Sequence, residues 1–162
     1  MATITNQQKI TPFLWFDTNA EEAVNFYTGI FNNAQIGMLS RYGENAPMPA
    51  GTVMVATFTI EGLKFMAING GPQLKFSPAI SFVINCDTQD EVDHYWDNLS
   101  AGGSTQQCGW LQDKFGISWQ VVPTKLRQLM SSGDAKKSSN VMQALWKMNK
   151  LIIADLEAAY NQ

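Results

Sequence analysis

Few side chains in this sequence are equipped for chemistry, and their spacing restricts what they could do. Cys86 and Cys108 could act as nucleophiles once ionised, but they form no CxxC pair, and a single histidine leaves no Cys/His zinc pattern. They read as packing thiols, with a reactive thiol at a pocket edge as the alternative. The lone histidine, His94, sits mid-helix beside Asp90, Asp93 and Asp97 and reads as solvent-facing. Asp17, Glu21, Asp87 and Glu91 resemble paired catalytic carboxylates on paper, yet helix-cap spacing accounts for them. Asp113 and Lys114 read as solvated residues of a hairpin turn. Gly70-Gly71 lacks the spacing of a phosphate cradle and reads as a turn. Were a reaction catalysed, Lys64, Cys108 or a bound water would be its candidates.

The elements that position these residues announce themselves by an internal echo. Asp17-Thr18-Asn19-Ala20-Glu21 is matched by Asp87-Thr88-Gln89-Asp90-Glu91. Each copy follows a short apolar run, Phe13 to Phe16 and Ile80 to Cys86, and each opens a helical pattern. In a T-x-x-E capping box, Thr18 or Thr88 accepts from the N3 amide and Glu21 or Glu91 reaches back to the cap residue's own amide. The first helix is then expected to bury Ala23, Phe26, Tyr27 and Ile30, and the second Val92, Tyr95, Trp96 and Leu99.

Strand-like stretches follow each helix. In the first half they are 34–40, 51–60 and 63–68, the last two joined at Glu61-Gly62. In the second they are a weak one near Thr105, then 107–112 and 117–122, joined at Asp113 to Gly116. The order strand–helix–strand–strand–strand therefore occurs twice, separated by the breaker cluster Asn69-Gly70-Gly71-Pro72. Segment 41–50 reads as a longer loop and possible lid. Beyond Pro123 the pattern turns helical: 124–130, then 140–148 after a polar stretch at 131–139, then a helix within 152–160. Val141, Leu145, Trp146 and Met148 are its expected apolar face.

At 162 residues and 45% hydrophobic content the chain suits one compact domain. Charged residues are only 15%, below the roughly 25% of an average protein, a hint of surface buried against a second copy. A net charge of −3 without a basic stripe gives no reason to expect nucleic acid. No apolar run approaches the ~18 residues of a membrane span, and the opening residues lack the features of a secretory leader. A cytoplasmic protein is expected.

The segments NGGP (69–72), AISFVINCDTQDEVDHYWDNLSAGG (79–103), QCGWLQDKFGISWQVVP (107–123) and VMQALWKMNKLIIADLEAAY (141–160) resemble the PhnB-like family. Its members are often labelled 3-demethylubiquinone-9 3-methyltransferase, within the glyoxalase/bleomycin-resistance/dioxygenase (vicinal-oxygen-chelate) superfamily. The resemblance implies an α+β fold: two βαβββ modules, about 8–70 and 77–123, pair curved sheets around a cup. It implies a domain over 1–123, a helical extension over 124–162 packed on the domain or a dimer partner, and a homodimer. It does not imply a settled reaction. Adenosylmethionine enzymes commonly use a parallel sheet with a glycine-rich first loop, whereas here Phe16-Asp17-Thr18-Asn19 follows the first strand.

Metal-dependent relatives carry His, Gln or Glu at four cup positions. Counting from the capping boxes and hairpin glycines, these fall on Thr11, Met66, Ser81 and Gln120. Divalent ions want imidazole or carboxylate and charge neutralisation, so no metal and no other cofactor is expected. Strand alternation gives the cup lining as Thr11, Phe13, Trp15, Lys64, Met66, Ile68, Ser81, Val83, Asn85, Ser118, Gln120 and Val122. Leu14, Phe16, Phe82, Ile84, Trp119 and Val121 fall under the helices. Apolar walls with sparse neutral donors and acceptors suit a small, partly aromatic molecule. A cup filled by its own side chains, serving as a dimeric interaction module, and an enzyme of unknown reaction, methyl transfer included, are the competing expectations.

Overall fold

The computed structural model describes residues 8–162. The opening residues 1–7, on which the expectation of no leader partly rests, lie outside them. The chain divides into two compact units, one ending at Lys75 and the other running from Phe76 to Gln162.

In the first unit, β1 (Phe13–Phe16), α1 (Ala20–Ile30), β2 (Ala34–Arg41), β3 (Val53–Ile60) and β4 (Leu63–Asn69) form a four-stranded sheet in the order β1-β4-β3-β2. Among the described residues only the β1–β4 pair of this sheet is parallel. Alternation puts Phe16, Ala56, Phe58, Phe65 and Ala67 on one face, and α1 covers them with Ala20, Ala23, Val24, Tyr27 and Ile30. Tyr27, Phe58 and Phe65 stack at centroid distances of 6.2 and 5.2 Å. Burying each such ring contributes about 2 kcal/mol, so this column anchors the unit.

The first capping box does not form. The N-cap of α1 is Asn19, without a side-chain bond. Asn69, at the end of β4, caps the helix instead: its Oδ1 accepts from the Ala20 amide at 2.8 Å while its Nδ2 donates to the Val53 carbonyl at 2.9 Å. Glu21 is drawn away to Arg41, two bonds of 2.9 and 2.7 Å. The loop after β2 is tied at its base, with Arg41 also donating to the Gly51 carbonyl and the Tyr42 hydroxyl donating to the Asn69 carbonyl.

In the second unit β5 (Ser81–Cys86), α2 (Gln89–Ser100), β6 (Ser104–Thr105), β7 (Trp110–Gln112) and β8 (Ser118–Pro123) repeat the order as β5-β8-β7-β6, again with one parallel pair, β5–β8. Here the box does form. Thr88 Oγ1 accepts from the Glu91 amide at 3.2 Å, and the Glu91 carboxylate accepts from the amide of Asp87, one residue ahead of the cap, at 2.6 Å. β7 is shorter than expected because Cys108 and Gly109 both adopt left-handed backbone, φ 61° and 79°. A Cβ at 109 would lie 2.6 Å from the Val121 carbonyl, so glycine is required there. Asp113 is not solvated. It is 3% exposed and accepts from the amides of Phe115 and Ile117 and from Trp119 Nε1, which sets the β7–β8 turn.

Three helices complete this unit: α3 (Thr124–Met130), α4 (Ala135–Leu145) and α5 (Ile153–Tyr160). The polar stretch expected to precede α4 contains its first turn, because the Asp134 side chain accepts from the Lys137 amide and starts the helix early. Leu129, Val141, Leu145, Leu151 and Leu156 form their core, whereas Trp146 is 57% exposed and outside it. The segment between α4 and α5 is clasped from two sides. The Cys108 and Gly109 amides donate to the carbonyls of Met148 and Asn149. On α2, Asp93 and Asp97 hold Lys150, and Gln89 bonds both the Leu151 carbonyl and the Ile153 amide. Among the described residues no helix is long and apolar enough to cross a membrane.

Candidate functional site

Each sheet keeps one face away from its helix, and the expected site residues distribute over these two faces. In the first unit the register sets Phe13 beside Met66 and Trp15 beside Ile68. Residues paired across a ladder share a face, so these four stand together. Thr11 lies just before β1, where the Pro12 carbonyl accepts from the Met66 amide. Lys64 is exposed at the start of β4, with Gln8 bonded to its backbone on both sides. The same face continues onto β3 with Thr57 opposite Met66 and Val55 opposite Ile68. Sequence reasoning missed these two, although the alternation of Val55, Thr57 and Thr59 with Ala56, Phe58 and Ile60 carries the signal.

Trp15 is the most constrained of the group. Its Nε1 donates to the Gly71 carbonyl at 3.0 Å, and its ring lies so close to Gly70 that a Cβ there would overlap it. The NGGP segment is thus a bed for an indole. Phe13, by contrast, is 49% exposed.

In the second unit Ser81 pairs with Ser118, Val83 with Gln120 and Asn85 with Val122. Gln120 Nε2 donates to Ser81 Oγ at 2.9 Å, with both residues half-buried. Across the antiparallel ladder Trp110 stands opposite Gln120, and Gln112 opposite Ser118. Sequence reasoning passed over both, because the left-handed pair Cys108-Gly109 interrupts the alternation just before them. Val83 is 50% exposed and Ser118 is buried.

The opposite faces hold Leu14, Phe16, Ile84, Trp119 and Val121, all buried, with Phe82 half-buried. Cys86 is on this side, and burial pushes its thiol up to about 12, with Glu91 and Asp87 adding to the rise. A thiol so poorly ionised is no nucleophile. Cys108, half-buried, donates weakly to the Leu145 carbonyl. His94 is exposed on α2 and contacts Asn98 and the Tyr95 ring.

Among the described residues no group of three or more His, Cys, Asp or Glu side chains could hold a metal ion. At the positions metal-dependent relatives use, the first unit offers a hydroxyl and a thioether (Thr11, Met66), and the second a hydroxyl and an amide (Ser81, Gln120) whose N–H is already given to that hydroxyl. These residues do not fit a divalent cation, which needs charged or imidazole donors. Nor do they fit adenosylmethionine in its usual parallel-sheet setting: each unit has one parallel pair, and β1 passes into α1 through Asp17-Thr18-Asn19 without a glycine-rich loop.

The family model described as 3-demethylubiquinone-9 3-methyltransferase matches residues 8–122, ending just before α3. The PhnB protein from Bacillus cereus is 41% identical over 72% of this chain and all of its own, with a TM-score of 0.69. A protein from Pseudomonas aeruginosa is 24% identical over 72% of this chain and 98% of its own, TM-score 0.61. The fosfomycin resistance protein FosX from Listeria monocytogenes shares the fold at 20% identity over 78% and 97%, TM-score 0.53. No functionally curated protein matches the chain. With the two βαβββ modules and the family match in agreement, the chain belongs to the PhnB-like, 3-demethylubiquinone-9 3-methyltransferase family.

Proposed function

We propose that the chain binds a small, partly aromatic molecule on the helix-free faces of its sheets without using a metal. The observation that carries this reading is Trp15, packed closely against Gly70 with its N–H already committed, so that an aromatic surface is set before any ligand arrives. Such pre-setting lowers the ordering cost of binding. In this reading residues 1–123 carry the binding function, and 124–162 are an extension clasped to α2 and the Cys108 turn. The two unpaired thiols support a reducing, cytoplasmic setting. Phe13 and Val83, both half exposed, support pairing with a second copy.

The test is the melting temperature of the protein across a panel of aromatic metabolites and drugs, with metal analysis of the same sample. A ligand should raise the midpoint in proportion to the logarithm of its excess over its dissociation constant, and Trp15→Ala should weaken that response about tenfold. A flat response across the panel would favour a closed dimeric module. Stoichiometric tightly bound metal would overturn the metal-free assignment. The family description makes methyl transfer the second reading. Turnover of adenosylmethionine to its demethylated product in the presence of a phenolic acceptor would establish it.

A further inference from the structure

We propose that the second sheet's free face selects an uncharged ligand bearing an adjacent hydrogen-bond donor and acceptor, such as a carboxamide or lactam on an aromatic ring. This rests on the binding reading above and names the chemical class it serves. The centre of the face is Gln120, flanked by Val83 on one side and Trp110 on the other. One Gln120 amide hydrogen is spent on Ser81 Oγ. That bond fixes the amide plane and, because Ser81 is the acceptor, frees the serine hydroxyl hydrogen to donate elsewhere. Gln120 Oε1 is left to accept and its second amide hydrogen to donate. A donor and an acceptor therefore stand side by side, next to an indole on which a ring can lie.

The register places Ser81, Val83, Asn85, Ser118, Gln120 and Val122 on this face, and none is ionisable. A carboxylate or phosphonate here would lose hydration without gaining a counter-charge, and its lone pairs would confront Oε1. An ammonium group would meet the donors of Ser81 and Gln120. A neutral amide presents the complement of both groups at once, and its attached ring supplies the apolar contact with Trp110 and Val83.

Four probes with one ring and different head groups decide the matter: benzamide, benzoate, phenylphosphonate and benzylamine. Each is titrated into the full chain and followed by the NMR signals of the Gln120 side-chain amide and the Trp110 indole N–H. Benzamide should shift both, with a dissociation constant at least tenfold lower than the three charged probes. Gln120→Leu should abolish that preference. Gln120→Glu, nearly the same shape, should turn it toward benzylamine and keeps the test decisive if the leucine variant does not fold. Benzoate or phenylphosphonate binding as tightly as benzamide would overturn the charge selection while leaving small-molecule binding standing. Shifts confined to Trp15 would overturn the placement on this sheet. Silence from every residue on both faces would overturn this inference and the binding reading together.

Discussion

The two βαβββ modules share a ladder register but assign its positions different work. Phe16 pairs with Asn69 in the first, and Cys86 with Pro123 in the second. Asparagine at the strand end offers an acceptor, and it caps α1 from across the unit. Proline offers no side-chain acceptor, and α2 closes its own capping box with Thr88 and Glu91. The helix-free faces diverge in the same way. Phe13, Met66 and Thr57 in the first module correspond by register to Val83, Gln120 and Trp110 in the second. One face is mainly apolar, with a fixed indole beside it; the other centres on an amide and a hydroxyl already bonded to each other. Duplication preserved the backbone pairing and left side-chain chemistry free to part.

The capping contrast is the easiest to break. Asn69→Ala leaves the Ala20 amide and the Val53 carbonyl without their buried partner, and each such loss costs about 1–3 kcal/mol. A total near 3 kcal/mol is expected from the urea midpoint, the largest effect of the series. Thr88→Ala removes one cap bond and should cost about 1 kcal/mol. Thr18→Ala should stay within about 0.5 kcal/mol, since Thr18 makes no cap bond. Equal costs for the two threonine variants would mean that the modules cap their helices alike.

The indole bed comes next. Gly70→Ala forces the Trp15 ring off its seat and strains the bond to the Gly71 carbonyl, for about 2 kcal/mol, the usual range for overpacking. In a Trp15→Ala background the same substitution should cost almost nothing, because the atom it strikes is gone. That non-additivity is the signature of direct contact. A Gly70→Ala cost that persists without the indole would place the strain in the backbone and remove Trp15 as a fixed surface.

Much of this architecture was legible because periodicity and turn chemistry are local. The apolar positions of α2, those of α1 apart from Phe26 (half-buried) and Val24 (buried but not expected), the hairpins at Glu61-Gly62 and Asp113–Gly116, and the segment 124–130 need only neighbouring residues to declare themselves. What escaped was decided at a distance. Asn69 reads as part of a turn until β4 is laid beside β1 and brings it under Ala20. Asp113 reads as a solvated turn residue until Trp119, six positions on, folds back to donate to it. Thr18 and Glu21 have the right spacing for a box, but spacing cannot show that Asn69 and Arg41 compete for the same groups. The faces themselves were partly legible. The β1, β4, β5 and β8 residues followed from alternation, whereas Trp110 was hidden behind a left-handed pair that breaks it.

The smallest expected effect sharpens the same contrast. Glu21 and Glu91 occupy equivalent positions, yet Glu21 serves an ion pair and Glu91 a backbone amide. Hydrogen bonding to Arg41 holds the Glu21 carboxyl below the ordinary glutamate range, against an opposing effect of desolvation and with a lesser contribution from the Arg41 charge. A depressed folded-state value means the pair contributes stability fully above the unfolded pKa, roughly 4.3 for glutamate, and loses it as pH falls through the lower folded value. Glu21→Gln should therefore be slightly less stable than the parent at pH 7, and the gap should close in acid and shrink in 1 M salt, as for any exposed pair. Glu91→Gln keeps a carbonyl acceptor for the Asp87 amide, and its effect should be less sensitive to salt. Urea midpoints at pH 7 and pH 3.5, each at low and high salt, separate the two. A Glu21→Gln deficit that survives acid and salt would show that this carboxylate supports its helix end as Glu91 does, and the division of labour between the modules would fail at that position.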